Sequence, residues 1–191
     1  MQNQQAKPGV LSGIIQATNP VFIILSVGVP VGPLIYAMNS ESFTPLNYVH
    51  IMAGSLWTGI DIYLGFVLGP VLRRLDPGKR VAVFKRLMPR MTFLMPVLVG
   101  VTFTSGLELT KRMGLPLDSP LIIAALVIAG ILGIQGLGFL LPNEVRIFRQ
   151  LLSDKPDTGK IEQLGMRNAR LAGIQGLFQL AIIFIMASIR F

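Results

Sequence analysis

His50, Trp57 and Asp61 are the residues of this chain whose types suit chemistry. They lie at i, i+7 and i+11 within LNYVHIMAGSLWTGIDIYLGFVLGPVL, residues 46–72. On a helix that spacing puts all three on one stripe, with Gly54 and Gly65 beside them. His50 is the sole histidine and Trp57 the sole tryptophan. An imidazole suits an axial haem ligand, a metal ligand or a proton carrier. Asp61 falls near the middle of an apolar stretch, where an ionised carboxyl is costly unless paired, hydrated or neutral. The expectation is that the stripe faces the protein interior, as a polar path from the outer surface through His50 and Trp57 to Asp61. These three are the candidate cofactor-binding residues.

Other residues suit a metal or a packing role. Met88, Met91 and Met95 recur at helical spacing, and thioethers favour Cu(I), although such a stripe also serves as core filler. Glu108 lies at the far end of the same segment and is expected to approach His50. The candidate metal set is therefore His50, Met91, Met95 and Glu108. Gly133-Ile-Gln-Gly-Leu137 recurs as Gly173-Ile-Gln-Gly-Leu177. Gln135 and Gln175 then sit about 10 Å deep on two antiparallel helices. Their amides are expected to bond across a glycine-lined contact.

The elements that must position these residues are helices in a bilayer. Of 191 residues, 52% are apolar and 14% charged, and mean hydropathy is +0.64. That composition excludes an ordinary soluble domain. The absence of cysteine excludes disulfides, a thiolate nucleophile and a thiolate metal site. One histidine excludes a two-histidine haem within a single chain. No Walker, zincin, nucleophile-elbow or dinucleotide pattern is present. The reading is an all-α polytopic membrane protein in a single domain. Its spans are about 20–38, 46–72, 89–110, 119–142 and 168–190. It has a four-helix core, spans two to five, with a kinked N-terminal helix added. Residues 1–9 read as a polar tail with no cleavable signal peptide, and 10–18 as a short interfacial helix. Asn19-Pro20 starts the first span. Its centre, Gly28-Val-Pro-Val-Gly-Pro33, must kink or unwind, and broken helices at midplane often mark transport or ligand sites.

The run from His50 to Lys111 resembles a known superfamily. It reads His50-x6-Trp57-x-Gly59, Gly69-Pro70, Arg86-Leu-Met-Pro-Arg90 and Thr104-Ser-Gly106-Leu-Glu-Leu. This is similar to the four-helix membrane proteins that include the CopD-like copper-resistance proteins and the HemJ-like protoporphyrinogen oxidases. The resemblance implies a four-helix membrane fold and His50 as a ligand of haem b or copper, in a redox or metal-handling role. The oxidase-type Leu-Pro-Arg after the tryptophan is replaced by Leu68-Gly69-Pro70. Two other readings stand beside it. One is a small proton- or cation-coupled transporter or channel using Asp61. The other is an accessory subunit whose glycine faces meet copies of itself or a larger membrane complex.

The net charge of +8, with a pI near 10.5, does not point to nucleic acid. Thirteen of the seventeen Lys and Arg fall in 73–90 and 143–170. That clustering sets topology and suits contact with anionic lipid. Both basic segments lie on one side of five spans. In a prokaryotic-type plasma membrane this places the N-terminus inside and the C-terminus outside. A cysteine at Ser42 should therefore react with an impermeant thiol reagent in intact cells, and one at Ser153 only after permeabilisation. The reverse labelling would invert the orientation.

Overall fold

The computed structural model describes residues 10–189; the polar tail 1–9 lies outside them. Among the described residues all regular structure is helical. A short helix α1 (Val10–Ala17) precedes five long ones. These are α2 (Pro20–Asn39), α3 (Phe43–Arg73), α4 (Pro77–Arg112), α5 (Pro120–Leu151) and α6 (Thr158–Ser188), each long and apolar enough to cross a membrane.

Local sequence sets where each begins. Asn19 accepts from the Val21 amide at 2.9 Å and Asp157 from Lys160 at 2.9 Å. Ser42 and Ser119 stand at the N-caps of α3 and α5, and Asp76 at that of α4. Proline at N1 follows three of these caps: Pro20, Pro77 and Pro120. The other end of α4 closes in a Schellman motif. Gly114 takes φ +62°, its amide bonds the Lys111 carbonyl at 3.1 Å, and Leu115 bonds Thr110 at 3.2 Å. Arg112 donates to the Ser40 and Met38 carbonyls at 2.7 and 2.8 Å, satisfying the exposed end of α2.

Helix α6 packs against α3, α4 and α5, whereas α2 packs against α3 and α4. Side chains such as Ile24, Tyr36, Ile51, Ile134 and Phe184 point outward and exposed, as a lipid-facing surface requires. Two apolar clusters fill the interior. One surrounds Trp57, Leu98, Val101 and Leu132. The other, toward the basic end, joins Leu72, Phe84, Met88, Ile147 and Ile161.

The second cluster explains why three helices outrun their expected limits. Helix α4 begins at Pro77 rather than 89, α5 continues to Leu151 rather than 142, and α6 begins at Thr158 rather than 168. Phe84 on α4, Ile147 and Phe148 on α5 and Ile161 on α6 stand among the basic residues and are buried. The basic segments are therefore largely packed helix with short turns, and residues 77–88 are continuous with the third span. Arg80 pairs with Glu162, joining the starts of α4 and α6. Of the kink or unwinding expected at Gly28–Pro33, unwinding does not occur, because α2 is continuous through Pro30 and Pro33.

Two stretches the sequence reading missed are π-helical: Tyr63–Leu68 in α3 and Gly136–Leu140 in α5. Each ends two residues before a proline, Pro70 and Pro142. A proline has no N–H and its ring crowds the carbonyl four residues back. A wider turn just ahead of it relieves that clash.

Helices α3 and α6 approach most closely at Gly65 and Gly173. A Cβ on Gly65 would lie 2.2 Å from the Gly173 Cα, whereas one on Gly28 meets nothing within 4 Å. Gly65→Ala should lower stability by about 1–3 kcal/mol through overpacking. Gly28→Ala should stay within about 0.5 kcal/mol of the parent. Thermal melting in mild detergent measures both, and equal melting temperatures would disprove the close contact.

Candidate functional site

Asp61 precedes the π-helical turn of α3 and points at α6. The short aspartate side chain reaches across because glycines let the backbones meet there. Gly176 faces Ile62, one residue beyond Asp61, and Gly173 faces Gly65, one turn further. Asp61 Oδ2 accepts from Gln175 Nε2 at 2.8 Å and from Gln179 Nε2 at 2.9 Å. The two glutamines lie four residues apart, hence on one face of α6. Exposure is 0% for Asp61, 1% for Gln175 and 2% for both Gln179 and Trp57.

Polar capacity is left over at this point. Asp61 Oδ1, Gln175 Oε1, Gln179 Oε1 and Trp57 Nε1 are buried without a partner. Three acceptors and one donor thus stand unsatisfied around one carboxyl. Each would cost about 1–3 kcal/mol if left dry. Trp57 stands edge-on to Phe103 of α4, with centroids 5.9 Å apart and rings at 65°.

A cavity of about 60 Å³ adjoins the carboxyl, room for a few waters. Its walls include both π-helical stretches, through Leu64 and Leu68 on one side and Gly136 and Leu140 on the other. It reaches Leu72 and Phe84 toward the basic end. The polar path expected from His50 down to Asp61 is therefore corrected: the cavity extends from Asp61 in the opposite direction, and His50 does not line it.

A second buried acid shares this cavity. Glu144, just past the π-helical turn of α5, accepts from Thr92 Oγ1 at 3.1 Å. Its neighbour Asn143 donates to Asn168 Oδ1 at 2.9 Å, and Asn168 Nδ2 donates to the Leu140 carbonyl at 3.1 Å. Asn168 lies seven residues before Gln175, about 10 Å along α6 toward the basic end. Glu144 thus sits below Asp61. Sequence reading passed it over because it lies in the basic segment 143–170, outside the expected spans. Its available signal was its place one turn past Leu140, on the same face as Leu137 and Leu141.

The remaining candidates go elsewhere. His50 is half-buried against α4, with Nδ1 3.0 Å from the Thr102 carbonyl and 3.2 Å from Ser105 Oγ. A carbonyl only accepts, so Nδ1 carries the hydrogen and Nε2 keeps the lone pair. The ring lies on Gly106, where a Cβ would stand 2.7 Å from it. Met91 and Met95 line the Asp61 cavity. Glu108 bonds Arg112 Nε at 2.9 Å instead of approaching His50, because an i+4 guanidinium is nearer than the facing helix. Met95 and Glu108 are thirteen residues apart on α4, about 20 Å. The four proposed metal ligands are thus not brought together, and no group of three His, Cys, Asp or Glu converges among the described residues.

The Gln135 expectation is corrected as well. Gln135 Nε2 donates to the Leu171 carbonyl at 2.8 Å, so α5 and α6 do meet there, but Gln175 bonds Asp61 instead. Gly173 faces α3, and Gly133 faces Phe103 of α4. A carboxyl at the same depth is the stronger acceptor for the Gln175 amide. Compared with protein-family models, with curated proteins and with solved structures, the chain matches none.

Asp61→Asn keeps an acceptor for the two amides and adds N–H donors for Gln175 or Gln179 Oε1. It should leave the melting temperature unchanged or raise it. Gln175→Leu removes a donor from a buried carboxyl and should cost about 1–3 kcal/mol. If the Asn variant melted lower than the Leu variant, this account of the contact would fail.

Proposed function

We propose that this chain is a small integral membrane protein that moves protons or a monovalent cation, with Asp61 as its binding carboxyl and Glu144 as a second station nearer the basic end. The observation that carries the reading is the set of unpartnered polar atoms around a fully buried acid. Acids inside membrane helices are costly and commonly mark ion or proton pathways. The cavity gives the carboxyl somewhere to exchange its ligand. Spans two to five form the working core, α2 is an addition to it, and the basic ends face the cytoplasm beside anionic lipid.

A second reading rests on His50. Its Nδ1 is held by a carbonyl, which fixes the ring and leaves Nε2 as the basic nitrogen, the arrangement second-shell partners give metal-binding histidines. The residues present fit one imidazole ligand to haem or copper. Such a group would supply redox chemistry at that end of the helix; Thr102, Ser105 and Gly106 would orient the ring.

Two measurements separate the readings. Protein in proteoliposomes with an imposed pH gradient should dissipate it, and Asp61→Asn should slow this at least tenfold, with Glu144→Gln intermediate. A rate equal to that of empty liposomes removes the transport reading. The visible absorption and metal content of the purified protein test the other: His50→Ala should abolish any haem band or copper stoichiometry, and a colourless, copper-free parent protein removes it.

A further inference from the structure

Building on the transport reading, we infer that the cavity beside Asp61 binds a small primary amine as its ammonium cation. The argument begins with what the site lacks. Asp61 Oδ2 already accepts two amide hydrogens. On the residues that line the cavity the unpartnered atoms are two acceptors, Asp61 Oδ1 and Gln175 Oε1, and one donor, Trp57 Nε1. Gln179 does not line the cavity and serves to orient the carboxyl. Acceptors outnumber the donor, so the missing ligand brings more hydrogens than lone pairs, and a cation would also neutralise an ionised Asp61 in a nearly dry bundle. An ammonium group does both.

The walls choose among cations. Apart from the acids and amides, the lining is apolar and polarisable: Trp57, Phe84, Met88, Met91 and Met95. Aromatic faces attract weakly hydrated cations, and alkyl groups gain by leaving water. A hard ion such as sodium favours five or six oxygens, and few are offered here. The cavity of about 60 Å³ suits a head of a few heavy atoms. Glu144, nearer the basic end, offers a second carboxyl along the same cavity, so a cation leaving Asp61 meets another acid before the cytoplasmic rim.

Trp57 is the sole tryptophan and borders the cavity, so its fluorescence reports occupancy. The purified full chain in detergent is titrated with methylammonium, potassium and sodium chlorides at constant ionic strength. Isothermal calorimetry provides the second readout. Potassium matches an ammonium in size but donates no hydrogen bond. Methylammonium should give a saturable signal at least tenfold tighter than either metal ion. Asp61→Asn, and independently Glu144→Gln as a variant remote from the Gln175–Gln179 contact, should each weaken it, the first at least tenfold. Equal affinity for potassium or sodium overturns the inference, as does the absence of saturable methylammonium binding by both readouts. Amine binding without flux in proteoliposomes would remove the transport reading and keep this one. Flux without amine binding would do the reverse.

Discussion

The contact of Asp61 with Gln175 and Gln179 is the constraint on which the rest of the bundle depends. A central aspartate disfavours membrane insertion of a helix by about 2.5–3.5 kcal/mol. Hydrogen bonds to a charged group return about 1.5–3 kcal/mol each, so two amides are enough to offset that cost. They can do so only if the backbones of α3 and α6 come close, since an aspartate side chain is short. Gly65, Gly173 and Gly176 supply that closeness. Polar recognition and small-residue packing are thus one feature: bulk at the glycines would pull the carboxyl off its amides.

The cavity follows from a different local cause. Pro70 and Pro142 each follow a wide π-helical turn, and the two turns flank the same space next to Asp61 and Glu144. A widened turn shifts the register of the residues beyond it, which re-aims side chains and interrupts ridge-in-groove packing. The Leu140 carbonyl, at the end of the second wide turn, takes a hydrogen from Asn168, so a polar group at the irregular backbone is met within the protein rather than by lipid. The prolines therefore shape a largely apolar hollow beside the two acids without breaking either helix.

The two ends of the molecule are built differently. At the basic end, α4, α5 and α6 extend beyond the expected spans and bury their own apolar cluster, giving Glu144 and Thr92 a rigid frame. At the other end the connections are short turns, closed by the Schellman motif at Gly114 and by Arg112 on the carbonyls of α2. His50 belongs to that end. Its imidazole is held by α4 and is separated from Asp61 by eleven residues, about 16 Å of helix. The stripe that joins the two in sequence therefore serves two separate neighbourhoods.

The amino-acid sequence by itself determined the class, the five apolar helices and the starts of α2 and α5. Hydropathy over twenty residues and an Asn-Pro or Ser-Pro start are local properties, and no tertiary contact is needed to read them. It also singled out Asp61, since a lone acid in an apolar run is conspicuous wherever its partners lie. Only the tertiary structure decided those partners. Gln175 looked equally suited to Gln135, because depth in the bilayer is legible from residue counts while azimuth between helices is not. Glu144 was hidden because charge density put its segment outside the expected spans, whereas Ile147, Phe148 and Ile161 bury one face of it. The π-helical turns were invisible for a related reason. A proline announces a disturbance, but whether the helix kinks, unwinds or widens depends on how the neighbouring helices pack around it.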